Sequence, residues 1–157
     1  TQQEIANGWE LKLGYKFNDV RLDTKHDFHE LMLIPRHRGL ISLGYTTPDE
    51  KWQIDLTGNI IGSMQFPENW QYSDELIEDH HEGRSPAYLN LGGQITRKFE
   101  RFEIYVGGEN LANYRQPNPI IDAENPFGQS FNAAQVYGPI AGAMGYVGLR
   151  FAIKKEE

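Results

Sequence analysis

Hydrophobic and polar residues alternate along six stretches of this chain, and each alternation predicts a β-strand. The clearest stretch runs from Trp9 to Phe17, with apolar and aromatic residues on one face and Glu10, Lys12 and Lys16 on the other. The other predicted strands cover about residues 39–46, 52–66, 87–99, 102–109 and 144–153. Because side chains in a strand point alternately to opposite sides, each predicted strand has one apolar and one polar face. The pattern therefore predicts an all-β, antiparallel, up-and-down fold.

The predicted connections alternate between long and short. Long polar segments cover 18–36, 67–86 and 112–142, whereas 47–50 and 100–101 are short turns. A barrel that spans a membrane has short turns at one end and long loops at the other, with aromatic girdles at both interfaces. The aromatic residues predicted near strand ends are Trp9, Phe17, Tyr45, Trp52, Phe66, Phe99 and Phe102. This arrangement favours a membrane barrel over an ordinary soluble sheet.

Composition excludes several classes of protein. The chain has 157 residues, which predicts one domain, and it has no cysteine, so disulfides and thiolate metal sites are excluded. Its formal charge of −7 argues against a nucleic-acid partner, which requires a basic surface. No apolar run approaches the roughly 18 residues of a membrane helix. Hydropathy alone would classify the chain as soluble, but alternation dilutes the average hydropathy of barrel strands.

Several strings resemble one family of membrane proteins. GGENLANYRQPNPII and ENPFGQSFNAAQVYGPIAGAMGYVGLRFAI resemble the closing two strands of a TonB-dependent outer-membrane receptor of the type common in Bacteroidetes. IPRHRGLISLGY, WQIDLTGNIIGSMQFP and AYLNLGGQITRKFERFEIYVGGENL resemble the preceding strands. The resemblance implies that residues 1–157 form the C-terminal part of a transmembrane β-barrel of about six strands. It also implies short periplasmic turns and long extracellular loops. A plug domain and earlier strands would lie outside this sequence.

The same resemblance implies a function and a set of partners. The family takes up a scarce nutrient at the bacterial outer membrane, most often a ferric chelate (siderophore) or a similar metal complex. This chain would supply barrel wall and extracellular ligand-vestibule loops. The implied partners are outer-membrane lipid, the rest of the receptor, and the TonB energy-coupling protein acting through the N-terminal part. Six strands leave two open edges, so we also expect self-association of the chain by itself.

The candidate ligand-binding residues lie in the last two long loops. They are Trp70, Tyr72, His80, His81, Tyr114, Arg115, Gln116 and Asn118. The alternative for the last four is a structural role, because the backbone of a long loop against the rim needs polar partners. The cluster from Glu78 to Glu82 contains potential metal ligands, for which a solvated acidic loop is the alternative. A helical turn is predicted at Ser73–Glu78, because Ser73 is a suitable N-cap.

No catalytic constellation is present, so the chain is predicted not to be an enzyme, and no cofactor is expected. Glu103 and Glu109 share a strand face but lie about 20 Å apart at roughly 3.3 Å per residue, too far for paired acid–base catalysis. The glycines of 142–148 lack the spacing and the following helix of a phosphate loop. No nucleophile motif surrounds any serine.

Two other classes remain open. The first is a soluble small-ligand-binding antiparallel β-barrel of lipocalin-like size, in which the apolar face would be enclosed. The second is a metal-binding surface protein that uses His80 and His81. The membrane interpretation requires apolar residues such as Ile54 and Ile104 to face outward and Asp55 and Gln94 to face inward.

Overall fold

The computed structural model describes residues 2–24, 27–66, 83–117, 119–120, 122–129, 131–133 and 136–151. Within them the strands are β1 (Gln2–Ala6), β2 (Trp9–Phe17), β3 (Arg21–Thr24), β4 (Asp27–Glu30), β5 (His37–Thr46), β6 (Trp52–Ile61), β7 (Tyr88–Lys98), β8 (Phe102–Glu109) and β9 (Met144–Phe151). Seven of them form one sheet in the order β1-β2-β5-β6-β7-β8-β9, and β3 pairs only with β4. All the pairings are antiparallel.

The six strands predicted from alternation are confirmed, in the predicted order. They correspond to β2 and β5–β9. Each pairs with its neighbour in sequence apart from the β3–β4 hairpin, which lies within the connection between β2 and β5. The turns at 47–51 and 99–101 lie at one end of the sheet and the long connections at the other. Strand β9 ends beside Phe102, at the short-turn end.

Two predictions about the strands were wrong. The connection 18–36, predicted as a polar loop, contains the hairpin β3–β4, and residues 2–6 add the unpredicted strand β1. The third predicted strand was extended to Phe66, but β6 ends at Ile61. Its partner strand begins at His37, whose carbonyl oxygen accepts the last hydrogen bond, from the Gly62 amide at 2.9 Å. Beyond that bond, the chain turns away from the sheet.

The register separates apolar from polar side chains row by row. One complete row across six strands contains Trp9, Tyr45, Ile54, Ile95, Val106 and Val147. The next row, on the opposite side of the sheet, contains Glu10, Gly44, Asp55, Gln94, Gly107 and Tyr146. We call these sides the apolar face and the polar face.

Side chains of the apolar face are exposed to a degree that is unusual for a folded sheet. Within the described residues, the exposed ones in the strands are Trp9, Leu13, Tyr15, Phe17, Ile41, Trp52, Ile54, Leu56, Ile60, Leu89, Ile95, Ile104, Val106, Val147, Leu149 and Phe151. A soluble monomer rarely leaves so large a contiguous apolar surface in water. The sheet therefore has an apolar side that the described part of the chain does not cover.

The buried hydrophobic residues lie instead beside the polar face, at the long-loop end. Ile61, Met64, Phe66 and Tyr137 form this cluster, against which Tyr88 packs. Ile61 and Tyr88 are directly opposite each other in β6 and β7, on the polar face. Phe66 is only 2% exposed. Its predicted place in an aromatic girdle is therefore wrong.

The short turn between β5 and β6 is held by its own side chains. The Thr47 hydroxyl donates to Asp49 Oδ1 at 2.6 Å, and the Lys51 amide donates to the same oxygen at 3.3 Å. These two hydrogen bonds, the Thr47 bond foremost, lower the pKa of Asp49 below its ordinary value. The aspartate thus caps the turn, as its sequence predicts.

Candidate functional site

The described parts of the long connections pack beside the polar face at the loop end of the sheet. Residues 64–66 run antiparallel to residues 83–85, since the Ser85 amide donates to the Met64 carbonyl and the Phe66 amide to the Gly83 carbonyl, both at 2.9 Å. The Leu33 amide reaches the Gln65 carbonyl at 2.9 Å. Three segments from two connections therefore meet beside the loop ends of β5, β6 and β7.

Asn110 anchors the last connection where β8 ends. Its backbone is left-handed, with φ of 50°, a conformation that asparagine tolerates better than most residues. Its side-chain Nδ2 donates to the carbonyl of Tyr114 at 2.7 Å and to that of Ala141 at 2.9 Å. Its Oδ1 accepts the Tyr114 amide at 3.1 Å. One buried amide thus ties the start of the connection to its end, 31 residues later.

Gln116 and Asn113 add two further cross-links. The Oε1 of Gln116 accepts the amides of Tyr137 at 2.8 Å and Gly138 at 3.0 Å. The Oδ1 of Asn113 accepts the Ala143 amide at 3.0 Å. Backbone amides that lack a sheet partner are satisfied in this way by side chains. Side-chain amides therefore give the connection much of its fixed geometry.

Tyr88 and Tyr114 form an aromatic wall at this end. Their rings are parallel within 4°, with centroids 4.7 Å apart, and the Tyr88 hydroxyl donates to the Tyr137 carbonyl at 3.2 Å. Gly138 packs on the edges of both rings. The Tyr114 hydroxyl is buried and has no hydrogen-bond partner among the described residues. The wall thus consists of two half-buried rings at the loop end of the sheet.

A basic column follows the polar face of β2 and β5 toward the same end. Lys16 lies directly opposite Arg38, and Lys12 lies four residues before Lys16 on the same face. Like charges directly across an antiparallel pair are destabilising. Within the described part of the chain, neither Lys16 nor Arg38 forms an ion pair. Arg38, Ile61 and Tyr88 share one row of the polar face across β5, β6 and β7, which places the column near the aromatic wall.

The predicted ligand-binding residues divide into three groups. Trp70, Tyr72, His80, His81 and Asn118 lie outside the described residues, as does the predicted helical turn at 73–78. Gln116, at 5% exposure, has the structural role described above. Tyr114 belongs to the aromatic wall, and the Arg115 guanidinium lies exposed against the Gly142 backbone.

Lys16, Arg38, Tyr88 and Asn110 were not predicted as site residues. The sequence did contain a pattern that indicates Lys16 and Arg38, because each is a cation on the polar side of an alternating strand. Their juxtaposition depends on the register of β2 against β5, which the sequence pattern does not specify. Asn110 gave a weaker signal, as one of several asparagines after β8.

The described residues were also compared with the requirements of a metal site and of a membrane-spanning helix. No group of three histidine, aspartate or glutamate side chains there lies close enough to hold a metal ion. The same residues contain no helix with the length and hydrophobicity needed to cross a membrane. Comparisons of the chain with protein-family models, with curated proteins and with solved structures found no significant match.

The Asn110 cross-link gives a first prediction. Asn110→Ala should lower the free energy of unfolding by about 2–4 kcal/mol, because it leaves buried groups unpaired and places alanine at positive φ. Asn110→Gly keeps the favourable φ and should cost about 1 kcal/mol less. Denaturant unfolding in micelles measures both. Asn113→Ala, at a similar φ of 53° but exposed and with one hydrogen bond to lose, is the matched control. Equal costs for Asn110→Ala and Asn113→Ala would contradict the anchoring role.

Proposed function

We propose that this chain is a wall segment of a TonB-dependent outer-membrane receptor, with its apolar face against lipid and its polar face toward an aqueous interior. Its loop end would form part of the vestibule that receives a nutrient, namely a metal chelate such as a ferric siderophore. In this role the chain positions and admits a ligand and performs no chemistry. The proposal rests on the sequence resemblance and on the distribution of side chains between the two faces.

The observation that carries the proposal is an inversion of ordinary burial. Adjacent residues of β7 point to opposite faces, and Ile95 is 43% exposed whereas Thr96 is 5% exposed. In a soluble sheet the isoleucine would be the protected residue. A large membrane barrel inverts this order, because its outer surface faces hydrocarbon and its interior faces water.

Strand length and aromatic placement support the same assignment. Strands β5 and β6 have ten residues each, which cover about 33 Å at 3.3 Å per residue. An apolar band about 25 Å tall, crossed at a tilt of about 40°, requires about that length. At the short-turn end of the apolar face, Trp9 packs on Tyr45 with centroids 4.6 Å apart and Phe99 on Phe102 at 4.4 Å. Rings at this level suit a membrane interface.

The basic column supports an anionic ligand. Lys16 and Arg38 face each other although the whole chain carries a formal charge of −7. A bound carboxylate or phosphate would relieve their repulsion through charge-assisted hydrogen bonds. The stacked Tyr88 and Tyr114 rings beside them offer apolar contact to a ligand with aromatic or catecholate parts. Together these groups suit a chelate that is both anionic and partly aromatic.

A soluble small-ligand barrel is the second candidate, favoured by one observation. A shallow depression of about 430 Å³ lies on the apolar face, between Leu43, Leu56, Leu91 and Leu111. In a closed soluble barrel this depression would become an internal cavity for an apolar ligand. The membrane proposal instead places it against acyl chains.

Single-cysteine labelling separates the two candidates. The chain has no cysteine, so Ile60→Cys and Asn59→Cys would each carry one environment-sensitive fluorophore at adjacent exposed positions on opposite faces of β6. After reconstitution into vesicles, brominated lipid should quench the label at 60, and aqueous iodide should quench the label at 59. If the label at 60 is shielded from both quenchers, the soluble barrel is favoured and the membrane proposal fails.

A further inference from the structure

One cation interrupts the apolar face. Arg97 lies directly between Trp52 on β6 and Ile104 on β8, in a row that continues to Leu149 on β9. Among the described residues of β2 and β5–β9, it is the only lysine or arginine on that face. Alternation alone would place an aliphatic residue there. A buried or lipid-facing arginine costs free energy unless something neutralises it.

Two aromatic rings hold the guanidinium. Arg97 Cζ lies 4.6 Å from the centroid of Trp52 and 5.5 Å from that of Phe99. Stacking on aromatic rings engages the flat faces of a guanidinium and leaves the N–H donors at its edge free for a ligand. Within the described part of the chain, no carboxylate and no hydrogen-bond acceptor reaches Arg97. Its charge is oriented but not neutralised.

The position along the strand indicates what could neutralise that charge. Arg97 is the second-to-last residue of β7, and β7 ends immediately before the short turn at 99–101. The surrounding rings of the apolar face belong to the aromatic cluster formed by Phe99, Phe102 and Phe151. Aromatic residues of this kind lie at the level of lipid headgroups. A guanidinium at the same depth meets the phosphate layer, where it can form two parallel charge-assisted hydrogen bonds.

We propose that Arg97, held against the rings of Trp52 and Phe99, binds the phosphate of an anionic phospholipid at the short-turn side of the membrane. This inference rests on the proposed function, because it requires the apolar face to contact lipid. An anionic headgroup is preferred over a zwitterionic one, since the latter brings its own ammonium group to compete with the guanidinium. The site would tie the wall to a particular class of lipid without any role in ligand uptake.

Native mass spectrometry of the detergent-solubilised chain can measure this binding. Phosphatidylglycerol should bind the unaltered chain more tightly than phosphatidylethanolamine. Arg97→Leu should weaken phosphatidylglycerol binding roughly tenfold or more, because it removes charge-assisted hydrogen bonds. Arg97→Lys keeps the charge but loses the planar fork and should recover only part of the affinity. Leucine suits the row between Trp52 and Ile104, so Arg97→Leu should still fold.

Lys98→Gln is the matched control, because it removes the neighbouring charge from the opposite face. It should leave phosphatidylglycerol binding unchanged. If Lys98→Gln and Arg97→Leu lose equal affinity for phosphatidylglycerol, the binding depends only on the net charge of the chain, and the Arg97 site is overturned. Millimolar inorganic phosphate should not displace the lipid, since a phospholipid also contacts the apolar face through its acyl chains and free phosphate does not; displacement would overturn a lipid site. If Arg97→Leu binds phosphatidylglycerol as tightly as the unaltered chain does, and brominated lipid still quenches the label at position 60, the Arg97 site is wrong and the membrane proposal stands.

Discussion

Leu56→Arg should lower the free energy of unfolding in vesicles by about 2–4 kcal/mol, whereas Asn59→Arg in the same strand should change it by less than about 0.5 kcal/mol. Leu56 lies near the middle of β6 on the apolar face, and Asn59 lies on the polar face. Both side chains are exposed. Only their surroundings would differ, because one would face hydrocarbon and the other water.

Urea titration of the vesicle-reconstituted variants, followed by tryptophan fluorescence, measures the difference. Asn59→Arg is the matched control, because it adds the same charge to the same strand on the face that would meet water. Equal, small costs for the two arginines in vesicles would mean that water reaches both faces. That outcome would remove the physical basis of the receptor proposal and leave the fold alone standing.

The strands themselves were predictable because each has a consistent period of two. Trp9–Phe17 matches β2 residue for residue, and the predicted 87–99 differs from Tyr88–Lys98 by one residue at each end. In a sheet with one apolar and one polar face, the residues of every strand alternate between apolar and polar. A local sequence pattern is therefore sufficient to predict each strand. Chain order also sufficed for topology, because consecutive antiparallel strands joined by turns usually pair.

The missed strands lack such a pattern. Strand β1, QQEIA, has one large apolar residue, and the segments RLDT and DFHE of β3 and β4 are mostly polar. A better signal for β1 was the turn Asn7–Gly8, since an Asn-Gly pair between two extended segments favours a two-residue hairpin. Gly8 has φ of 79°, and a side chain there would collide with the Thr46 carbonyl oxygen. Turn chemistry, not hydrophobic alternation, determines where this hairpin forms.

The error at Met64 and Phe66 has a different cause. Their spacing continues the alternation of β6, but a strand persists only while a neighbour supplies hydrogen bonds. That neighbour, β5, begins at His37, shortly after Pro35, which has no amide hydrogen to donate. The two side chains therefore enter the loop-end core. Apolar alternation alone does not separate these two outcomes.

Much of the candidate site depends on contacts between distant parts of the chain. Asn110 bonds to Ala141 and Gln116 to Tyr137, which are separated by 31 and 21 residues in sequence. The sequence left a structural role open for four residues of the last loop, and the structure gives Gln116 that role. The sequence did not specify which residue would take it, because several asparagines and glutamines lie close together. The strand register and the path of the loop determine which of these side chains reaches the backbone groups.

Gly107→Ala is expected to destabilise the sheet by about 1–3 kcal/mol through overpacking. Tyr146 lies directly opposite Gly107, and its ring crosses over the glycine so that its hydroxyl can donate to Gln94 Oε1 at 3.1 Å on the next strand. A methyl group at position 107 would lie 2.5 Å from the Tyr146 hydroxyl oxygen and 2.7 Å from the Gly93 carbonyl oxygen. Both distances are too short for any side chain. The glycine therefore makes room for a hydrogen-bonded bridge across three strands.

Gly145→Ala is the control, because it alters the same strand pair on the apolar face, where the nearest atom to an added methyl group is the Gly107 carbonyl oxygen at 3.8 Å. It should be neutral or slightly stabilising, since alanine restricts the unfolded chain. Tyr146→Phe should cost only the hydrogen bond, about 0.5–1.5 kcal/mol. Combining Gly107→Ala with Tyr146→Ala should cost less than the sum of the two changes, because removal of the ring relieves one of the two collisions. Strict additivity in denaturant titrations would show that the ring does not press on position 107, and the role of glycine there would have to come from the Gly93 carbonyl alone.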